Sequence, residues 1–199
     1  MSRNEEKINR NRPAPRVRGF TIVEIAITLA VGAILVALAI PNVAGFVRTV
    51  RATSETNDFV GVLNRARSEA LFRVGNMKLC ASDTSVATPV CGGGATWNDG
   101  WILFNDCNSD GTPDTGTNTC DTDGDGTAET NETLVRVGDA PSGGDTLSGT
   151  VTEIVFLSNG TPLSGAQSFD VCTHGHDSSG LISINAVGRI NTSQGTVSC

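Results

Sequence analysis

From Ile25 to Val47 no residue carries a charge. As a helix rising ~1.5 Å per residue, the run extends about 34 Å, enough to span a bilayer core. Residues 1 to 19 hold Arg3, Lys7, Arg10, Arg12, Arg16 and Arg18 against Glu5 and Glu6, while the next cations after the run are Arg48 and Arg51. That imbalance keeps the N-terminus cytoplasmic and exports the rest. An ordinary secretory signal is cut after its apolar stretch, which is then discarded. Here Gly19 precedes the stretch, so the stretch is expected to stay with the mature chain.

Glu24 stands at the head of this segment. A carboxylate inside a membrane helix costs at least ~2.5 kcal/mol, so it is either kept for a partner or snorkels to the interface. Pro41 removes an N–H and is predicted to kink or locally melt the helix near Ala37. Beyond it, Phe59, Leu63, Ala66 and Ala70 recur at helical spacing, with Arg65, Arg67 and Glu69 off the stripe. This second half is predicted to lay its apolar face on a sheet.

After Gly75-Asn76 the pattern changes to strand-length apolar runs at 77–80, 101–104, 134–137, 154–157, 169–172 and 181–184, separated by polar turns. Asn159-Gly160 and Gly188 signal turns, and the last run with residues 186–190 reads as a terminal hairpin. The fold class is therefore α+β. The expected boundaries are a leader over 1–19, a transmembrane and assembly helix over 20–47, an amphipathic helix over 48–74, and a β-rich exported head over 75–199.

Without residues 1 to 19 the chain has eight basic and nineteen acidic residues, a net charge of −11. Such a body repels nucleic-acid phosphates and anionic lipid head groups. All six cysteines, Cys80, Cys91, Cys107, Cys120, Cys172 and Cys199, lie in the head, an even number suited to disulfides in an oxidising compartment. The sequence leaves the connectivity open, and proximity and strand order favour Cys80 with Cys91, Cys107 with Cys120, and Cys172 with Cys199.

Two acidic loops carry hard oxygen ligands at alternate positions. Asp121, Asp123, Asp125, Thr127, Glu129 and Glu132 fall in the register D-x-D-x-D-G-x5-E, which suits Ca²⁺. Asp106, Asn108, Asp110 and Asp114 match the opening half of the same pattern, with Thr117 where a closing glutamate would stand, and form the weaker candidate. The competing reading of both is a solvated acidic turn. No nucleophile elbow, phosphate loop or HExxH motif is present, and the chain reads as non-enzymatic.

Residues 16–28, Arg-Val-Arg-Gly-Phe-Thr-Ile-Val-Glu-Ile-Ala-Ile-Thr, resemble the class III signal of type IV prepilins. The resemblance implies cleavage after Gly19 by prepilin peptidase, N-methylation of Phe20, and pairing of Glu24 with the N-terminal amine of a neighbouring subunit. Pilins often carry a proline at the depth of Pro41. The head is similar to the GspH/FimT family of minor pseudopilins and minor pilins, on Leu63-Asn-Arg-Ala-Arg-Ser-Glu-Ala70, Trp97-Asn-Asp-Gly-Trp-Ile-Leu-Phe104 with the Asp106 loop, Val155-Phe156 with Gly160, and Gly188-Arg189.

Such a resemblance implies a helix laid across antiparallel sheet. It also implies a subunit that an inner-membrane platform assembles with other pilins or pseudopilins into a pilus or a type II secretion pseudopilus. Relatives often carry one acidic loop closing on a glutamate before the next strand, so residues 115–131 read as an insertion that lets Glu132 close either loop. Some relatives contribute to DNA uptake through a basic Gly-Arg-x-Arg motif. Here only Arg189 of that motif is kept, which makes DNA binding the alternative function.

Overall fold

The last turn of the long helix gives way at Gly75 to strands whose order positions the candidate sites of the head. The computed structural model describes residues 19–73, 75–114, 118–121, 126–128, 130–175 and 179–195, without the side chains of 39–44 and 118–119. Two compact units divide between Val43 and Ala44, a few residues before the expected boundary at 47.

The helix α1 is one element from Ile22 to Arg73, so the melting predicted near Ala37 does not occur. A proline removes a single i to i−4 bond, and the turns on either side keep theirs. In the first unit the described apolar side chains have no cover, and Ile22, Val23, Leu29, Leu35 and Leu38 are each more than half exposed. Among the described residues no helix is long and apolar enough to cross a membrane. Six of the residues in the uncharged run, 39–44, lie outside the described side chains.

In the second unit the predicted stripe is the buried face of α1, with Phe59, Leu63, Ala66 and Ala70 in the core and Val62 beside them. Two four-stranded antiparallel sheets complete that core. The first has the order β5-β2-β1-β7, built from β1 (Met77–Ala81), β2 (Trp101–Asn105), β5 (Leu134–Gly138) and β7 (Glu153–Phe156). The second has the order β10-β9-β8-β6, built from β6 (Thr146–Gly149), β8 (Gln167–Cys172), β9 (Gly180–Ile184) and β10 (Ile190–Gln194). A short ribbon pairs β3 (Asn118–Cys120) with β4 (Thr130–Asn131) and flanks the second acidic loop.

Every residue of β1 is buried, because both of its faces are covered. Met77, Leu79 and Ala81 face the main core, while Cys80 joins Ile102 and Phe104 in a smaller cluster beside Cys91. Cys80 and Cys91 are joined by a disulfide that lays the 82–91 loop over that second face. Phe59, Trp97 and Phe169 meet edge to face, with centroids 5.1 to 5.6 Å apart. Each such pair adds about 0.5–1.5 kcal/mol beyond the area it buries. The Trp97 indole also donates to the Val151 carbonyl at 2.7 Å, which satisfies its one polar atom inside the core.

Candidate functional site

Three places hold the residues singled out by the sequence. At the start of α1, the Thr21 hydroxyl accepts the Glu24 N–H at 3.2 Å. Thr21-Ile-Val-Glu24 is the spacing of a helix capping box, in which the threonine serves one of the N–H groups a helix start leaves open. Glu24 in the first turn also lies where the helix dipole favours negative charge. The S/T-x-x-E pattern was present in the sequence, and the threonine half of the box is the contact made here. Gly19 and Phe20 precede the helix and are exposed.

The second place is the pair of acidic loops. In each, the first aspartate accepts the backbone N–H of the glycine five residues on: Gly111 to Asp106 Oδ1 at 3.4 Å, and Gly126 to Asp121 Oδ2 at 2.8 Å. Both glycines have positive φ, 85° and 89°, which allows the sharp reversal. Asp110 Oδ1 accepts from the Thr112 N–H and hydroxyl, and the Asn108 amide donates to Asp110 and Asp114. Glu132 closes the first loop. Its Oε1 accepts the Cys107 N–H and its Oε2 the Asp114 N–H, each at 3.0 Å.

Burial pushes the Glu132 carboxyl above its ordinary range; the Asp114, Asn108 and Cys107 N–H groups pull it back, and the Asp106 carboxylate raises it again. Lys78, buried on β1, lies 2.9 Å from Glu153 and 4.0 Å from Asp106, and so brings one positive charge to the base of the loop. Thr127 of the second loop is exposed, and Asp123, Asp125 and Glu129 lie outside the described residues. Cys107, Cys120 and Glu132 bring ligand atoms within 4.8 Å of one another. The two sulfurs are joined as a disulfide, so this group offers no thiolate to a transition metal. Cys172 is also disulfide-bonded, and its expected partner Cys199 lies outside the described residues.

The third place gathers residues far apart in sequence. Arg67 on α1 donates from Nε to the Gly160 carbonyl at 3.0 Å and from Nη2 to the Val187 carbonyl at 3.3 Å. Apart from that contact, the Trp97-Asn98-Asp99 turn is fixed by its own bonds: Asn98 Oδ1 accepts the Leu147 N–H at 2.8 Å, and Asp99 accepts the Thr96 N–H and hydroxyl. Those Thr96 donors hold the Asp99 carboxyl below its ordinary range. Arg189 is exposed, and its backbone N–H, not its guanidinium, is fixed by Asn185.

The family model of the type II transport protein GspH matches residues 55–188. The chain belongs to the GspH family. A second model, the prokaryotic N-terminal methylation motif, matches residues 15–40 and contains Gly19, Phe20 and Glu24. With that motif ahead of a GspH domain, this family member is a subunit of the minor pilin or pseudopilin class. The GspH match begins on α1 and ends at Gly188, so it takes in Arg67, the Trp97–Trp101 turn, both acidic loops and Gly160.

Two crystal structures of the type IV minor pilin FimU of Pseudomonas aeruginosa are similar in outline, each 18% identical. One has a TM-score of 0.48 and covers 74% of this chain and 96% of that one. The other has a TM-score of 0.49, covering 74% and 91%. No curated protein matches the chain.

Proposed function

We propose that this GspH-family subunit is made as a precursor, cut after Gly19 by prepilin peptidase, methylated at Phe20, and carried by its N-terminal helix from the inner membrane into a pilus or secretion pseudopilus. The observation that supports this most is the methylation motif lying across a helix whose apolar side chains are left exposed. An uncovered apolar helix is stabilised by lipid or by the helices of other pilins, and an assembly platform moves it from one to the other. Glu24 lies in the motif and would meet the new N-terminal amine of a neighbour. The head remains periplasmic or on the filament surface and acts by contact without catalysing a reaction.

Mass spectrometry of membrane-extracted protein tests this reading. A mature chain beginning at N-methyl-Phe20 supports it, and one beginning beyond Pro41 sinks it. Glu24→Ala should insert normally and enter filaments poorly.

A second reading concerns calcium. The shared contact between first aspartate and sixth-position glycine favours both loops as Ca²⁺ loops, with Glu132 serving the Asp106 loop in the described geometry. Asp106, Asn108, Asp110, Asp114 and Glu132 supply the hard oxygens that Ca²⁺ prefers, and Asp121 and Thr127 supply those described for the second loop. Isothermal titration of the full chain with Ca²⁺ and then Mg²⁺ tests it, since heats that are absent or equal for the two ions would leave both loops as solvated turns.

A further inference from the structure

Beside β5 and α1 in the head lies a cleft of about 330 Å³ that neither the assembly helix nor the acidic loops use. Glu55, Asp58, Asp139 and Asp145 line it, against Arg136 as the lining cation. The guanidinium of Arg136 lies over the Trp101 ring at 5.7 Å, and Trp101 and Phe59 give the cleft an aromatic wall.

Asp145 is the unusual member. Its side chain is 1% exposed, and Oδ1 accepts the His174 N–H at 2.9 Å. Oδ2 has no hydrogen-bond partner, and the Arg51 Nε of a half-exposed side chain stands 3.9 Å away. A buried carboxylate oxygen without a donor is unfavourable and marks a place where a donor belongs. The neighbouring Glu55 carboxyl is pushed up by burial and then by Asp145 and Asp58, and pulled back by Arg51.

The arrangement does not suit a metal ion. Among the described residues the cluster whose ligand atoms converge is Cys107, Cys120 and Glu132, so the cleft carboxylates do not meet at one point as a divalent cation requires. Acceptors spread along an aromatic wall instead suit a cation with several separated donors on an apolar stem, which describes a guanidinium.

We propose that this cleft receives an arginine side chain of a neighbouring protein subunit, its guanidinium donating to Asp145 and Glu55 and its stem lying on Trp101 and Phe59. The identity of the partner as a subunit rests on the assembly reading above, whereas the ligand chemistry does not. Asp58 and Asp139 add attraction at the mouth. Arg51 and Arg136 supply the opposing repulsion that the incoming side chain displaces or stacks beside.

The test uses the full chain in detergent and ligand-observed NMR with N-acetyl-arginine amide, its neutral isostere N-acetyl-citrulline amide, and Ca²⁺. Saturable binding of the arginine amide is expected, with none for citrulline. The affinity should fall about tenfold or more in Asp145→Asn, and also in Glu55→Gln, a partly exposed helix position that leaves the fold intact. Equal binding of citrulline, an unchanged affinity in Glu55→Gln, or displacement of the probe by stoichiometric Ca²⁺ overturns the proposal. Absent probe binding in a chain that still enters filaments defeats the cleft alone, and binding intact in a chain that never enters filaments defeats the assembly reading alone.

Discussion

The Arg67 guanidinium reaches from the middle of α1 to two turn carbonyls, that of Gly160 at 3.0 Å and that of Val187 at 3.3 Å. The two turns are thus tied to the helix and to each other, although they lie 93 and 120 residues away in sequence. Three of the segments that carry the family resemblance, around Arg67, Gly160 and Gly188, meet at this one contact.

Arg67→Ala removes both donors and leaves a part-buried carbonyl to find water. A loss of about 1–3 kcal/mol in the unfolding free energy of the head is expected, measured by denaturant melts of the full chain in detergent. Arg65→Ala, which breaks only the exposed pair with Glu69, should change it by less than about 1 kcal/mol. Equal effects of the two substitutions would show that Arg67 is not a tie.

Gly188 has φ +77°, and a Cβ there would stand 2.1 Å from the Gly160 oxygen and 3.1 Å from Arg67 Nε. Gly188→Ala therefore carries both backbone strain and a clash with backbone that cannot rotate away. Gly165, at φ +73°, has open space around its Cβ and isolates the backbone part, about 1 kcal/mol. Melting of both variants should place Gly188→Ala well below Gly165→Ala, and equal midpoints would count against the tight approach of the two turns.

Glu132 supplies a pH dependence whose sign is fixed by burial. Its folded carboxyl lies above the ordinary value of 4.5, so its contribution to stability is complete below that value and is lost as pH rises through the folded one. Ca²⁺ favours the carboxylate and should flatten this limb, giving stabilisation by the metal that grows from about pH 4.5 upward. Thermal melts across that range with Ca²⁺ or EGTA test it. A Ca²⁺ effect that ignores pH, or one that survives Glu132→Gln unchanged, removes Glu132 from the site.

Eight cations serve the 180 residues after Gly19, and Arg67 is already engaged with carbonyls. Too few remain near Arg189 for the release of several counterions that drives binding to a nucleic-acid backbone. Gel shifts at physiological salt should show weak binding at most. Submicromolar, salt-sensitive binding that vanishes in Arg189→Ala would overturn this and favour the DNA-uptake alternative.

The elements that the sequence determined are those whose signal is local. The stripe Phe59-Leu63-Ala66-Ala70 follows from the helical repeat, the central strands from their apolar runs, and the Asn159-Gly160 turn from the backbone freedom of glycine. The bridges Cys80–Cys91 and Cys107–Cys120 span only 11 and 13 residues, and proximity with strand order favoured both. The terminal hairpin read from the last apolar run and the Gly188 turn is the β9–β10 pair, whereas strands β3, β4 and β6 were not legible, since they are short or largely polar and exist because a partner strand offers them hydrogen bonds. Spacing alone put Glu132 at the end of the Asp121 loop and the family resemblance let it close either, and only folding placed its carboxylate on the Cys107 and Asp114 N–H groups. The Asp145 oxygen that lacks a hydrogen-bond donor and the grip of Arg67 on two distant turns were likewise decided by tertiary structure, because a carboxylate or a guanidinium has no periodicity and its partner is chosen by whatever the packed core brings within reach.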